Sequence, residues 1–210
     1  ESENWASIQE RGLLSAACLL QACGSVRLNG SHRPSRTVLP NGWIIRDQQR
    51  IPRAALEKCL VEMTPEEWYA LLNSRVFFWL DRDRLNRQRL ACGPHRQVVL
   101  VLDSAKLIAR YRDSIELTPI NTGNARRKPA LRGRQTFVPY RDWLSSGWMS
   151  ETMALVTNPR PRNHRPAELT VVNSVPDVLR FVAAVVKLKE GELLASRVRK
   201  KNTCSKLPRA

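Results

Sequence analysis

The chain has 210 residues, 42% hydrophobic and 26% charged, which suits one globular domain with an appended tail. Lysine and arginine outnumber the acids 35 to 19, a formal net charge of +16. That surplus is silent about fold but favours a polyanionic partner, above all nucleic acid. No apolar run approaches the ~20 residues of a membrane span, and no membrane partner or secretory signal peptide is expected.

Several familiar chemistries are absent. No G-x-G-x-x-G follows a strand, and there is no P-loop and no G-x-S-x-G, so a Rossmann nucleotide site is not expected. The five cysteines (Cys18, Cys23, Cys59, Cys92, Cys204) form no CxxC pair. The three histidines (His32, His95, His164) are scattered, so no metal is expected. The cysteines read as reduced, mostly core residues of a cytoplasmic protein. The chain starts abruptly, running almost straight into helix, and further residues are expected ahead of Glu1.

Residues 5–11 read as a short amphipathic helix capped by Gly12, and 15–23 as an apolar helix ended by Gly24. A Ser/Arg/Pro-rich loop over 30–40 precedes a short strand at 42–45. Residues 52–62 form a helix with proline in its first turn. Thr64-Pro65-Glu66-Glu67 is a clear helix start, with Thr64 as N-cap, Pro65 at N1 and Glu67 at the capping-box position. Residues 74–80, Ser-Arg-Val-Phe-Phe-Trp-Leu, predict an aromatic strand in the centre of a sheet.

A charged helix over 81–91, a strand over 96–102, a helix over 105–111 and a strand over 115–117 follow. Residues 125–135 are a basic loop in which Arg126, Arg127, Lys128, Arg132 and Arg134 have no acid among them. Residues 136–138 read as a strand and 140–144 as a helical turn, whereas 145–165 show little period. A strand at 167–172, a helix from Asp177 and a last strand over 183–189 close the fold. The expectation is a single α+β domain over 1–186, with a largely antiparallel or mixed sheet, and a basic tail over 187–210.

Glu168 is the odd residue. Alternation in Ala167-Glu168-Leu169-Thr170-Val171-Val172 sends Ala167, Leu169 and Val171 one way and Glu168, Thr170 and Val172 the other. Arg160, Arg162, His164 and Arg165 lie just before it. Two readings stand: a glutamate on the wet face of a half-buried strand, or a catalytic carboxylate held ionised by neighbouring cations.

The string Ser7-Ile8-Gln9-Glu10-Arg11-Gly12-Leu13-Leu14-Ser15 resembles the "SIxxxGLLS" helix-and-turn found early in DarT-like ADP-ribosyltransferases. A related group of bacterial proteins, catalogued only as a domain of unknown function, is the closer match. With it the chain shares Ser31-His32-Arg33-Pro34, Ile45-Arg46-Asp47-Gln48, the stretch from Trp68 to Trp79, Pro119-Ile120-Asn121-Thr122-Gly123, Thr136-Phe137-Val138-Pro139 and the Glu168 strand. The resemblance covers roughly residues 4–182.

The resemblance implies an ADP-ribosyltransferase-like fold, in which two small mixed or antiparallel sheets with peripheral short helices form an NAD cleft. It implies NAD as substrate and no metal. Glu168, with Arg46 beside it, would be catalytic, and Arg46 or Arg75 would meet the NAD phosphates. Phe78 would pack on nicotinamide, and Gln48, Asn121, Thr122 and His32 would complete the NAD site. Relatives carry a gripping histidine just before the position of Trp5, where this chain has Glu1-Ser2-Glu3-Asn4.

Charge suggests the acceptor. Arg126, Arg127, Lys128, Arg132, Arg134 and Arg162 would suit a nucleic-acid backbone. The expected protein is a toxin or defence effector that modifies DNA or RNA, with an antitoxin protein as a further partner. The alternatives are a non-catalytic nucleic-acid-binding module on the same fold, a protein-directed ADP-ribosyltransferase, an NAD glycohydrolase and an RNA 2′-phosphate transferase.

Overall fold

The computed structural model describes residues 4–48, 51–91, 96–124, 129–161 and 163–195. Ten short strands and eight short helices alternate along them. The first helix, α1 (Trp5–Arg11), ends at Gly12, which leads into β1 (Leu13–Leu14) and α2 (Ala16–Ala22). Gly12 has φ +73°, and a Cβ there would lie 2.3 Å from the Val175 carbonyl oxygen, so only glycine fits. Ser15 caps α2 by accepting from the Cys18 amide at 3.2 Å. The "SIxxxGLLS" string is thus a helix stop, a strand pairing and a helix start.

Next come β2 (Thr37–Val38), β3 (Ile44–Ile45), α3 (Arg53–Glu57) and α4 (Pro65–Asn73). Thr64 and Glu67 form the expected capping box, and α4 buries Trp68, Tyr69 and Leu71. Then follow β4 (Arg75–Trp79), α5 (Arg82–Ala91), β5 (Gln97–Leu102), α6 (Ser104–Tyr111) and β6 (Ile115–Thr118). The chain continues with β7 (Val138–Pro139), α7 (Tyr140–Ser146), α8 (Met149–Ala154), β8 (Glu168–Val172), β9 (Ser174–Val175) and β10 (Val182–Leu188).

The architecture is α+β with small antiparallel sheets. The largest has the order β4-β8-β6-β7. Strand β8 is flanked on both sides, with Trp79 and Thr118 each opposite Glu168. Cross-strand partners share a face, so Leu169 and Val171 join Ile115 and Leu117 in the main core. Glu168 and Thr170 share the other face with Phe77, Trp79, Glu116 and Thr118. Two-stranded ribbons β1-β9, β2-β3 and β5-β10 complete the pairing.

Several expectations need correction. Strand β4 is an edge strand, not a central one; its apolar run arises because one face meets the core and the other an open cleft. The stretch 145–165, which shows little period, carries α8 and the end of α7. Residues 134–136 form a 3-10 turn, and the helix expected after Asp177 is a 3-10 turn over Val178–Phe181, cut short by β10.

The fold also runs past residue 186. Strand β10 pairs with β5 as far as Leu188. Beyond it, Arg89 of α5 donates to the carbonyls of Lys189 and Glu192, and Asn86 exchanges two hydrogen bonds with Leu194. Residues 196–210 of the expected tail lie outside the described residues. Only Cys59 of the three described cysteines is buried, while Cys18 and Cys23 are intermediate. No helix among the described residues is long and apolar enough to cross a membrane.

Candidate functional site

The non-core face of β4 and β8 forms the floor of a cleft of about 670 Å³, within the ~300–1,000 Å³ typical of small-molecule sites. Glu168 sits in that floor and is only 4% exposed. Its Oε2 takes every donor: Thr118 Oγ1 at 3.0 Å, Thr122 Oγ1 at 2.9 Å and the Thr122 amide at 3.3 Å. Oε1 has no partner among the described residues and is open to the cleft.

This is neither of the two environments anticipated for Glu168. It is not on a wet face, and among the described residues no guanidinium pairs with it. Burial pushes its pKa up, opposed by the hydrogen bonds from Thr122 and Thr118 and by the field of Arg84. Thr118 Oγ1 also lies 2.8 Å from the Ile120 carbonyl. One hydroxyl proton serves one acceptor at a time. When it goes to Ile120, Thr118 can accept from a protonated Glu168; when it turns, it donates to the carboxylate. The pocket therefore suits both protonation states.

Arg132 is a correction. Expected on a solvated basic loop, it is 1% exposed. Its guanidinium donates to the carbonyls of Thr122, Asn124 and Ala130, each at 3.1 Å, and lies 5.8 Å from the Trp68 ring. Burial pulls its pKa down. Arg132 is thus a pin for the loop that carries Thr122, and through it for Glu168. Arg134 is exposed but lies near Glu67, away from the cleft. Arg126, Arg127, Lys128 and Arg162 lie outside the described residues.

Phe78 lines the cleft wall, but its ring is on the core face and packs against the main core. Strand alternation instead gives Phe77 and Trp79 to the face of Glu168. Phe77 is 39% exposed, with its ring edge-on to Phe137. Arg75 lines the cleft, but its guanidinium is engaged: Nε and Nη2 grip Glu116 at 2.5 and 3.0 Å, Nη1 donates to the Leu71 carbonyl, and the plane lies 4.2 Å from Phe137. A cation so paired has little left for a phosphate.

Arg46, Gln48, Asn121 and Thr122 do line the cleft. Arg46 is half-exposed, 3.7 Å from Asp47. Gln48 is held by Asn73, whose Oδ1 accepts from Gln48 Nε2 at 3.0 Å and Arg33 Nη1 at 2.8 Å. His32 does not reach the cleft. Its Nε2 meets the Gln48 carbonyl at 3.1 Å, its ring rests on Tyr69, and it lines a smaller neighbouring pocket. Burial lowers the pKa of Arg33, with Asp47 opposing.

Sequence reasoning missed Arg33, Asn73, Phe77, Trp79, Thr118, Arg84 and Arg87. Phe77 and Trp79 were legible, since they alternate with Val76 and Phe78. Arg84 and Arg87 of α5 looked like an ordinary charged helix face. Nothing local marks Thr118 or Asn73, because each acquires its role from partners 25 or more residues away.

No curated protein and no solved structure matches the chain. A sequence family does match, over residues 1–182, a span that contains every cleft residue named above. The chain therefore belongs to the family of unknown function DUF7002.

Proposed function

We propose that the protein is an NAD-dependent ADP-ribosyltransferase acting on nucleic acid. The observation that carries this reading is Glu168, a buried carboxylate with one oxygen held by three uncharged donors and the other open to a cleft bordered by arginines and aromatic rings. Scission of a nicotinamide–ribose bond passes through an oxocarbenium-like state, which needs a carboxylate beside it, as glycoside hydrolysis does. Glu168 Oε1 would accept a ribose hydroxyl, stabilise the developing positive charge and help deprotonate the acceptor. Arg46 and Arg33, at the Gln48 end, would hold the pyrophosphate. Phe77, rather than Phe78, would pack on the nicotinamide ring.

Nicotinamide release from NAD tests the reading, for wild type and Glu168→Gln, with and without single-stranded DNA or RNA. Release that depends on nucleic acid and collapses in the variant supports it. No release under any condition overturns it. A binding module without catalysis is the second reading. It is favoured by the burial of Glu168, which disfavours the ionised form, and by the engagement of Arg75 with Glu116. Nucleic-acid binding that ignores both NAD and Glu168→Gln would select it.

A further inference from the structure

We infer that Arg84 and Arg87 on α5, with Trp79 beside them, form the subsite that grips the phosphodiester backbone of a single-stranded nucleic acid, so that one unstacked base reaches Glu168. The inference deepens the reading above and rests on it for the role of Glu168.

Four arginines on α5 divide by what they touch. Arg82 is held by its neighbour Asp83 at 2.8 Å, and Arg89 is buried against the carbonyls of Lys189 and Glu192. Arg84 and Arg87 line the cleft. The Arg84 guanidinium has no hydrogen bond or ion pair among the described residues, and Arg87 donates only to the Asp83 carbonyl of its own helix. Residues three apart share a helix face, so these two present adjacent forks to one ligand. A guanidinium fork matches phosphate oxygens bidentately.

Position argues for the acceptor. Strand β4 runs from Arg75 to Trp79, about 13 Å at ~3.3 Å per residue. Asn73, with Arg33 and Gln48, lies at its start, and α5 follows its end. Glu168 is opposite Trp79, at the α5 end. The cleft therefore has two basic ends, and one pyrophosphate needs only one of them. Chemistry on a base requires that base to be out of its stack, and single strands bind through a cationic groove with aromatic side chains for the bases. The floor of the cleft offers Trp79 for that purpose, with Phe77 left to the nicotinamide ring.

The test is the salt dependence of binding by the full chain. Fluorescence anisotropy would be read with a labelled single-stranded oligodeoxyuridylate and an oligouridylate of equal length, without NAD. The Arg84→Gln/Arg87→Gln variant removes two contacts, and single strands contribute about 0.7 of slope per phosphate neutralised, so log K against log salt should flatten by about 1.4. An Arg110→Gln/Arg141→Gln variant removes the same charge from exposed arginines paired to Asp177 and Asp113, away from the cleft. Its slope should stay with wild type.

Equal flattening in both variants would overturn the inference in favour of net charge alone. Competition by a poly-glutamate of equal charge as strong as that by the oligonucleotide would overturn it in favour of an acidic protein. Absence of oligonucleotide binding by wild type would also overturn it. A difference between the two sugars would name DNA or RNA as the substrate within it. The assay needs no turnover, so failure of nicotinamide release leaves its result readable.

Discussion

Glu151 and Glu168 are both buried carboxylates, and the contrast between them locates the site. Glu151, on α8, is 0% exposed and gives both oxygens to Arg160, which donates Nε to Oε2 at 3.0 Å and Nη2 to Oε1 at 2.8 Å. Its charge is matched and its lone pairs are used, so it ties α8 to the segment before β8. Glu168 has two hydroxyls and an amide on one oxygen, none of them a full charge. It is solvated by dipoles and keeps one oxygen for the cleft. Burial alone does not mark a functional acid; an unmatched charge with a free oxygen facing a cavity does.

Substitutions should separate the two. Glu168→Gln carries the largest expected effect. Nicotinamide release should fall about 100- to 1,000-fold, as for loss of an electrostatic stabiliser of a transition state. The melting temperature should not fall, because a neutral amide can accept the same Thr122 donors without the cost of a buried charge. Glu151→Gln should do the reverse. It should cost about 3 kcal/mol in urea denaturation by breaking a buried pair, with release per folded molecule unchanged.

Thr122→Val sharpens the comparison from within. It removes one hydroxyl that favours the charged form of Glu168, while Val keeps the shape. Hydrogen bonds to charged groups are worth about 1.5–3 kcal/mol, so release should fall about tenfold or more. The rising limb of its pH profile should move to higher pH, because the raised carboxyl is raised further. Titration of release between pH 4 and 9 would read this.

The smallest effect concerns stability. A folded pKa above the unfolded one contributes stability that is complete below the unfolded value and is lost as pH rises through the folded value. Wild type should therefore lose melting temperature relative to Glu168→Gln as pH rises from below the ordinary carboxylate range through the raised one. Differential scanning fluorimetry of the two proteins in parallel checks it; a constant difference would show that Glu168 does not titrate differently in the fold.

The sequence by itself determined whatever depends on neighbours in the chain. Thr64-Pro65-Glu66-Glu67 announces its capping box because all its donors and acceptors lie within four residues. The alternation of β8 is likewise local, and it correctly separates Glu168 from Leu169 and Val171. Tertiary structure decided everything that depends on pairing across distance. It made β4 an edge and put Phe77 rather than Phe78 on the face of Glu168, because register against β8 assigns the faces. It turned Arg132 from an apparent surface cation into a buried pin, because three carbonyls of its own loop could satisfy it. It left Arg84 and Arg87 facing the cleft while Arg82 and Arg89 found partners elsewhere. A local pattern names the residue type and its face; only the folded chain says which charges are matched, and the unmatched ones are left for a ligand.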